Sequence, residues 1–323
     1  MSKIKTIILL LTLSCNIYAK GIDVSEEYLF SKTQIQNHSF NDELLTSYLK
    51  SQTVLLIPGV LSQSFSSTST QRIKIDYLIG SIFRDHEDWL IEKGINYESL
   101  EIESEASPEE NKEFIIQILE ELPDNIIIFT HSKGGLDTFE ALVHRPDLLE
   151  KITGVITVQT PFKGAPVADA FTRNSLVKNI SEWLFRFLGG SEGGILSLTT
   201  KESRLRNQKY NEDFQRIIQE IPVINYGSFK EDTFGWDTPL EIFRDYTYKK
   251  AGKSDGVVPL ENSFLDNTYQ VTESGVDHLN SVTNTQGVRR LTFLPQLNYK
   301  QEWTFDRKSH FQALLEVLRK VSY

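Results

Sequence analysis

The sequence has 323 residues, 39% of them hydrophobic and 24% charged, enough apolar content for a packed core and too much for global disorder. Its formal net charge of -10 argues against nucleic acid as the main partner, since such binding needs a basic footprint. The same charge opposes broad electrostatic docking on anionic membranes but leaves transient apolar contact with a lipid surface open.

Residues 1–19 read as an export signal. Lys3 and Lys5 form a positive leading segment, Ile7 to Leu13 is an apolar run too short to span a bilayer, and Ala19 with Ile17 two residues earlier marks a cleavage position. The chain is therefore expected to be exported, periplasmic or extracellular, with a single domain over 20–323. Cys15, the only cysteine, stands inside this signal. Thr12 occupies a position where a lipoprotein signal carries an aliphatic residue, so anchoring through Cys15 is the second choice. The mature body then has no disulfide, thiolate metal cluster or cysteine nucleophile.

Thr53 to Ile57 is a continuous apolar run closed by Pro58-Gly59, the pattern of a strand buried on both faces. Arg72 to about Lys93 has helical spacing, and Tyr97 to Ile102 is a second strand. Pro108-Glu109-Glu110 opens a helix with proline in its first turn and acids at its positive end. Asn125 to Thr130 is a buried strand, followed by a helix from Leu136 to His144 and a strand from Ile152 to Gln159. This alternation predicts βαβ units and a mostly parallel central sheet flanked by helices. The segment from about 165 to 220 is helical, interrupted by Gly189-Gly190 and Gly193-Gly194, and reads as a cap insertion over the sheet. Pro222 to Phe229 and, more weakly, Leu265 to Val271 return to strand character. Phe311, Leu314, Leu315 and Leu318 mark a helix that packs back on the sheet.

The chemistry concentrates where the strand ending at Thr130 meets His131-Ser132-Lys133-Gly134-Gly135. A serine between a buried strand and a helix, with a small residue two positions on either side, suits a sharp turn that lifts Oγ clear of the sheet. Gly134 meets the requirement after Ser132; Thr130 departs from the usual glycine before it. The run His131 to Asp137 resembles the serine elbow of bacterial lipases and esterases of the α/β-hydrolase superfamily. Val158-Gln159-Thr160-Pro161-Phe162-Lys163-Gly164-Ala165-Pro166 is similar to the Thr-Pro-x-x-Gly-Ser/Ala-Pro segment of lipases.

That resemblance implies an α/β-hydrolase fold and a catalytic set in the order nucleophile, acid, histidine. Ser132 is the expected nucleophile. His278, in Gly275-Val276-Asp277-His278-Leu279, is the expected base because it lies on a loop and its setting resembles the Asp-His-Leu of lipases. His310 is read instead as a helix-start residue, and His131 as a packing residue. Ser254-Asp255-Gly256-Val257-Val258-Pro259 resembles the segment that carries the lipase acid, which makes Asp255 the expected acid, with Asp237 and Asp277 as competitors. The oxyanion donors are expected to be the amides of Lys133 and Val60, with Leu61 as fallback.

No cofactor or metal is called for by any motif. The function expected is hydrolysis of carboxylic esters through an acyl-enzyme. Trp183, Leu184, Phe185, Phe187 and Leu188 in the cap favour a lipase over a short-chain carboxylesterase, phospholipase, acyltransferase or polyester depolymerase. A non-catalytic binding protein on the same fold is the alternative of another class.

Overall fold

The computed structural model describes residues 21–59, 82–100, 106–173, 192–231, 240–283 and 305–322. The expected signal, Val60, Leu61, Asp237 and the aromatic cap residues 183–188 lie outside them. The described strands are β1 (Ile22–Asp23), β2 (Thr53–Ile57), β3 (Asn96–Ser99), β4 (Ile126–His131), β5 (Ile152–Val158), β6 (Val223–Phe229) and β7 (Tyr269–Ser274). They form one seven-stranded sheet in the order β1-β7-β6-β5-β4-β2-β3, with every pairing parallel.

The described helices are α1 (Ser25–Gln36), α2 (Glu43–Lys50), α3 (Arg84–Lys93), α4 (Pro108–Glu121), α5 (Lys133–His144), α6 (Pro166–Arg173), α7 (Glu192–Ser197), α8 (Thr200–Lys209), α9 (Asn211–Glu220), α10 (Glu241–Ala251) and α11 (Arg307–Val321). Helix α4 starts where its proline and acids predict, with Ser107 and Glu110 capping each other's backbone amides. None of the described helices is long and apolar enough to cross a membrane.

β2, β4 and β6 are buried at every position, and β2 and β4 accordingly read as apolar runs; β6 also buries Asn225 and Ser228, both hydrogen-bonded. Alternate residues feed two cores on opposite faces. Ile126 and Ile128 face Leu136, Phe139, Phe214 and Ile217, while Ile127 and Phe129 face Tyr28, Phe311, Leu314 and Leu315. The described part of the expected insertion packs on the first face: Phe214 of α9 meets Phe139 of α5 edge-on, and Tyr210 donates to Glu140.

Several boundaries differ from expectation: the helix expected from Arg72 starts, among the described residues, at Arg84, after Ile82 bridges Thr283 and Phe83 takes φ 62°, and the strand expected from Tyr97 is Asn96–Ser99. The last strand is not Leu265 to Val271 but Tyr269–Ser274. Asn225 Oδ1 accepts from Leu265 N and from Thr268 Oγ1, and the Leu265 carbonyl accepts from Thr268 and Gln270, so side chains take the bonds a ladder would need. Helix α5 begins at Lys133, not at Leu136, because the glycine pair occupies its first turn.

Helices α1, α2 and α10 were not expected at all. α1 has almost no amphipathic pattern; it is tied down by polar bonds. Tyr28 Oη and Tyr226 Oη both donate to Glu273 (2.6 and 2.7 Å), Lys32 pairs with the other Glu273 oxygen at 2.6 Å, and His310 Nδ1 donates to Tyr28 Oη at 2.7 Å. His310 does sit in the first turn of α11, as expected, and is fully buried there.

His86 is buried among Phe83, Phe129 and Phe311, and neither ring nitrogen finds a partner among the described residues. Burial, with Arg307 nearby, pushes its pKa down to about 3, and burial also lowers His310. Both rings are thus neutral in the folded chain but titrate near 6.5 when it unfolds, so the unfolded state binds more protons below that pH. Stability is full above about pH 6.5 and is expected to decline as the pH falls below it, by roughly 1.4 kcal/mol per pH unit for each such ring. Urea denaturation between pH 7 and 4 measures this, and His86→Phe is expected to flatten the slope by about one proton.

Candidate active site

The sheet order reverses at β2, which lies between β3 and β4, and such a switch point opens a crevice at the carboxyl ends of the strands. Ile57 pairs with Thr130, so Pro58-Gly59 and His131-Ser132 leave the sheet side by side. Ser132 has φ 54° and ψ -128°, a conformation that L-residues rarely hold. Its amide donates to the Val158 carbonyl at 2.8 Å and its carbonyl accepts from Gly135.

The turn is tight on one side. A Cβ on Gly59 would stand 2.7 Å from the Ser132 Cβ, and one on Gly134 would stand 2.6 Å from the Pro58 carbonyl oxygen. Both must be glycine for the strand end and the turn to pass each other. Thr130, the departure from the usual motif, is flanked by Ile57 and Thr157 rather than by the close contacts of Gly59 and Gly134. It is inside β4, paired with Thr157, where a side chain fits.

Ser132 Oγ lies 2.9 Å from His278 Nε2, and His278 Nδ1 lies 2.8 Å from Asp255 Oδ2. With Nδ1–H donating to the carboxylate, Nε2 is left to accept from the serine hydroxyl. The other Asp255 oxygen accepts from the amides of Val257 and Val258, both at 2.8 Å, and the His278 amide donates to the Asp255 carbonyl at 2.9 Å. The structure thus brings together Ser132, His278 and Asp255, all three buried. It does not bring in Asp277, whose Oδ1 accepts from the Leu279 and Asn280 amides of its own turn. Lys133 opens α5 directly after Ser132, so its amide belongs to the positive end of that helix.

His131 packs its ring against that of His278, 4.8 Å between centroids, and donates from Nε2 to the His278 carbonyl at 2.9 Å. Burial and the neighbouring His278 hold its pKa well below the usual histidine range. Three further residues support the base and were not singled out from sequence: Gln159, Ser228 and Ser281, all buried. Their one legible sign is Gln159 itself, a polar residue closing the apolar run of β5.

Among the described residues one group offers metal-type donors: Glu109, Glu140 and His144, whose ligand atoms lie within 4.8 Å of one another. Lys112 already pairs with Glu109, and Tyr210 with Glu140.

The architecture is the α/β-hydrolase fold, and the chain resembles bacterial lipases and esterases. It is similar to a metagenomic carboxyl esterase (TM-score 0.63, 20% identity, 84% of this chain and 76% of that one). It is also similar to the mature lipase of Bacillus licheniformis (TM-score 0.56, 20% identity, 71% and 85%) and to Staphylococcus hyicus lipase (TM-score 0.53, 12% identity, 84% and 96%). No protein-family model matches the sequence, and no curated protein matches it.

The side chain of Lys133 turns away from the crevice into the core. Its ammonium lies 2.8 Å from both Asp137 oxygens, and Asn111 donates to one of them at 2.9 Å. Burial pushes the Asp137 carboxyl up against the pull of Lys133. Removing one partner strands a buried charge, whereas replacing both by apolar groups does not. Asp137→Ala is expected to lose about 3–5 kcal/mol of stability. The double variant Lys133→Met/Asp137→Leu is expected to lose far less than the two single changes together, measured by urea denaturation.

Proposed function

We propose that this chain is a serine ester hydrolase acting through an acyl-enzyme, with Ser132 as nucleophile, His278 as base and Asp255 as the acid that orients it. The observation that carries the reading is the unbroken chain of hydrogen bonds from Ser132 Oγ through His278 to Asp255, hung on a serine in a strained turn at the switch point of the sheet. As Ser132 Oγ attacks the ester carbonyl, His278 Nε2 takes its proton and passes it to the departing alkoxide. The Asp255 carboxylate holds the ring in the tautomer this requires and balances its transient positive charge. The Lys133 amide stabilises the oxyanion, with the Val60 amide as the second donor. Water, deprotonated by His278, then releases the carboxylic acid and restores Ser132.

The same reading makes the substrate an acyl ester and, with the apolar cap residues, a lipid ester ahead of a short-chain one. The lipases and the carboxyl esterase of similar fold support that range. Export with loss of residues 1–19, leaving the domain over 20–323, belongs to the same proposal; amino-terminal sequencing of secreted material checks it.

A fluorophosphonate probe is expected to label the wild type and not Ser132→Ala. An unlabelled, folded wild type would favour a binding protein on this fold. Asp255→Asn is expected to lower kcat about 10⁴-fold, since the amide fixes the wrong tautomer of the ring. On p-nitrophenyl esters of rising chain length, a preference for the shortest acyl group would exclude the lipase reading in favour of an esterase.

A further inference from the structure

Gln159 stands one residue beyond β5 with φ 54°, its amide donating to the Tyr226 carbonyl at 2.8 Å, and its side chain is fully buried. A non-glycine residue in that conformation is uncommon, and here it turns a carboxamide under the loop that carries His278. Every polar atom of the carboxamide has work in that loop. Nε2 donates to the carbonyl of Asp277, the residue before the base, at 3.0 Å. Nε2 also donates to Ser228 Oγ at 2.6 Å, and Ser228 in turn donates to the Val276 carbonyl at 3.0 Å. Oε1 accepts from Ser281 Oγ, three residues after the base, at 2.6 Å.

The amide orientation follows from these partners. The Asp277 carbonyl can only accept, and Ser228 spends its proton on Val276, so both face the NH2 end; Ser281 donates, so it faces the oxygen. The carboxamide therefore grips the loop on both sides of His278 and anchors it to the ends of β5 and β6. His278 itself is joined to Asp255 and to Ser132 at hydrogen-bond distances that a shift of the loop by an ångström would break.

We infer that Gln159 is a positioning residue for the reaction, setting the height of His278 over Ser132 through the loop 276–281. The inference rests on the serine-hydrolase reading for its kinetic consequence, but the position of the ring can be read without a substrate. Misplacing a reacting group by about an ångström costs on the order of 10²-fold in rate. Gln159→Ala is thus expected to lower kcat by about 10- to 100-fold with little change in KM. Gln159→Glu carries the sharper signature. A carboxylate cannot donate to the Asp277 carbonyl, whereas a protonated carboxyl can. The titratable groups facing this position are His131 from β4, Asp277 and His278 from the loop, and Asp255 from the loop after α10; all are present in the wild type, so the variant is compared with it at each pH. The ratio of variant to wild-type kcat is expected to fall as the pH rises and the carboxyl ionises.

The test measures kcat and KM across pH for both variants, with circular dichroism at each pH, and the downfield Nδ1 proton of His278 by NMR in a Ser132→Ala background. Loss or exchange broadening of that resonance in folded Gln159→Ala, with the drop in kcat, supports the inference. Wild-type kcat in folded Gln159→Ala, or a pH-independent ratio for Gln159→Glu, overturns it. Should Gln159→Ala fail to fold, Ser281→Ala removes one point of the grip, and an unchanged kcat and resonance there overturn it equally. If the wild type hydrolyses no ester and takes no fluorophosphonate, the serine-hydrolase reading fails, while the NMR comparison still decides whether Gln159 holds the ring.

Discussion

Two stretches of backbone meet at the carboxyl edge of the sheet with no side chain between them, and the geometry around Ser132 depends on that meeting. Ile57 to Gly59 passes against Ser132 to Gly134 closely enough that a single Cβ on Gly59 or Gly134 would collide with the opposite segment. The contact holds Ser132 in a backbone conformation that costs on the order of 1–3 kcal/mol and persists only when its surroundings over-determine it. Those surroundings are β2 and β4, adjacent, parallel and buried along their whole lengths. The core does more than stabilise the chain: it fixes the two strand ends whose approach creates the turn.

The acid and the base arrive by a different route. Neither Asp255 nor His278 sits on a strand; each rides a loop, and loops drift unless their polar atoms are tied. Here the ties are numerous and short. Asp255 closes its own turn through two amides, Asp277 does the same, and His278 is bonded to Asp255 through backbone as well as ring. His131 and Gln159, from the ends of β4 and β5, complete the tethering. The Lys133–Asp137 pair works likewise from below, fastening the first turns of α5 to α4 through Asn111.

How much of this was legible in the sequence follows from what each residue needs. The parallel sheet announced itself because strands buried on both faces are mostly apolar, and β2, β4 and β5 fell where the runs lie. Ser132, Asp255 and His278 could be named because each stands in a short pattern with a geometric reason behind it. The register of β7 was hidden because the bonds that end the preceding segment come from Asn225, forty residues earlier in the chain. α1 was hidden because its anchors are a tyrosine and a lysine that meet a glutamate on β7, which no local pattern encodes. Gln159 stands in plain view between Val158 and Thr160, but a glutamine carries no chemistry until its neighbours in space are known. Thr130 looked like a defect and is none, since the crowding falls on Gly59 and Gly134 while Thr130 is a buried strand residue.

The bond between Tyr28 and His310 joins residues 282 positions apart, and the whole face of the sheet beneath α1 closes only when α11 docks. A ribosome delivers α1 early and α11 late, so the part of this face that α11 covers stays open until the end of synthesis. Val54, Leu56, Ile127, Phe129 and Ile156 share one cluster with Phe311, Leu314 and Leu315 of that last helix. The packing on this side therefore cannot be completed before α11 has been synthesised.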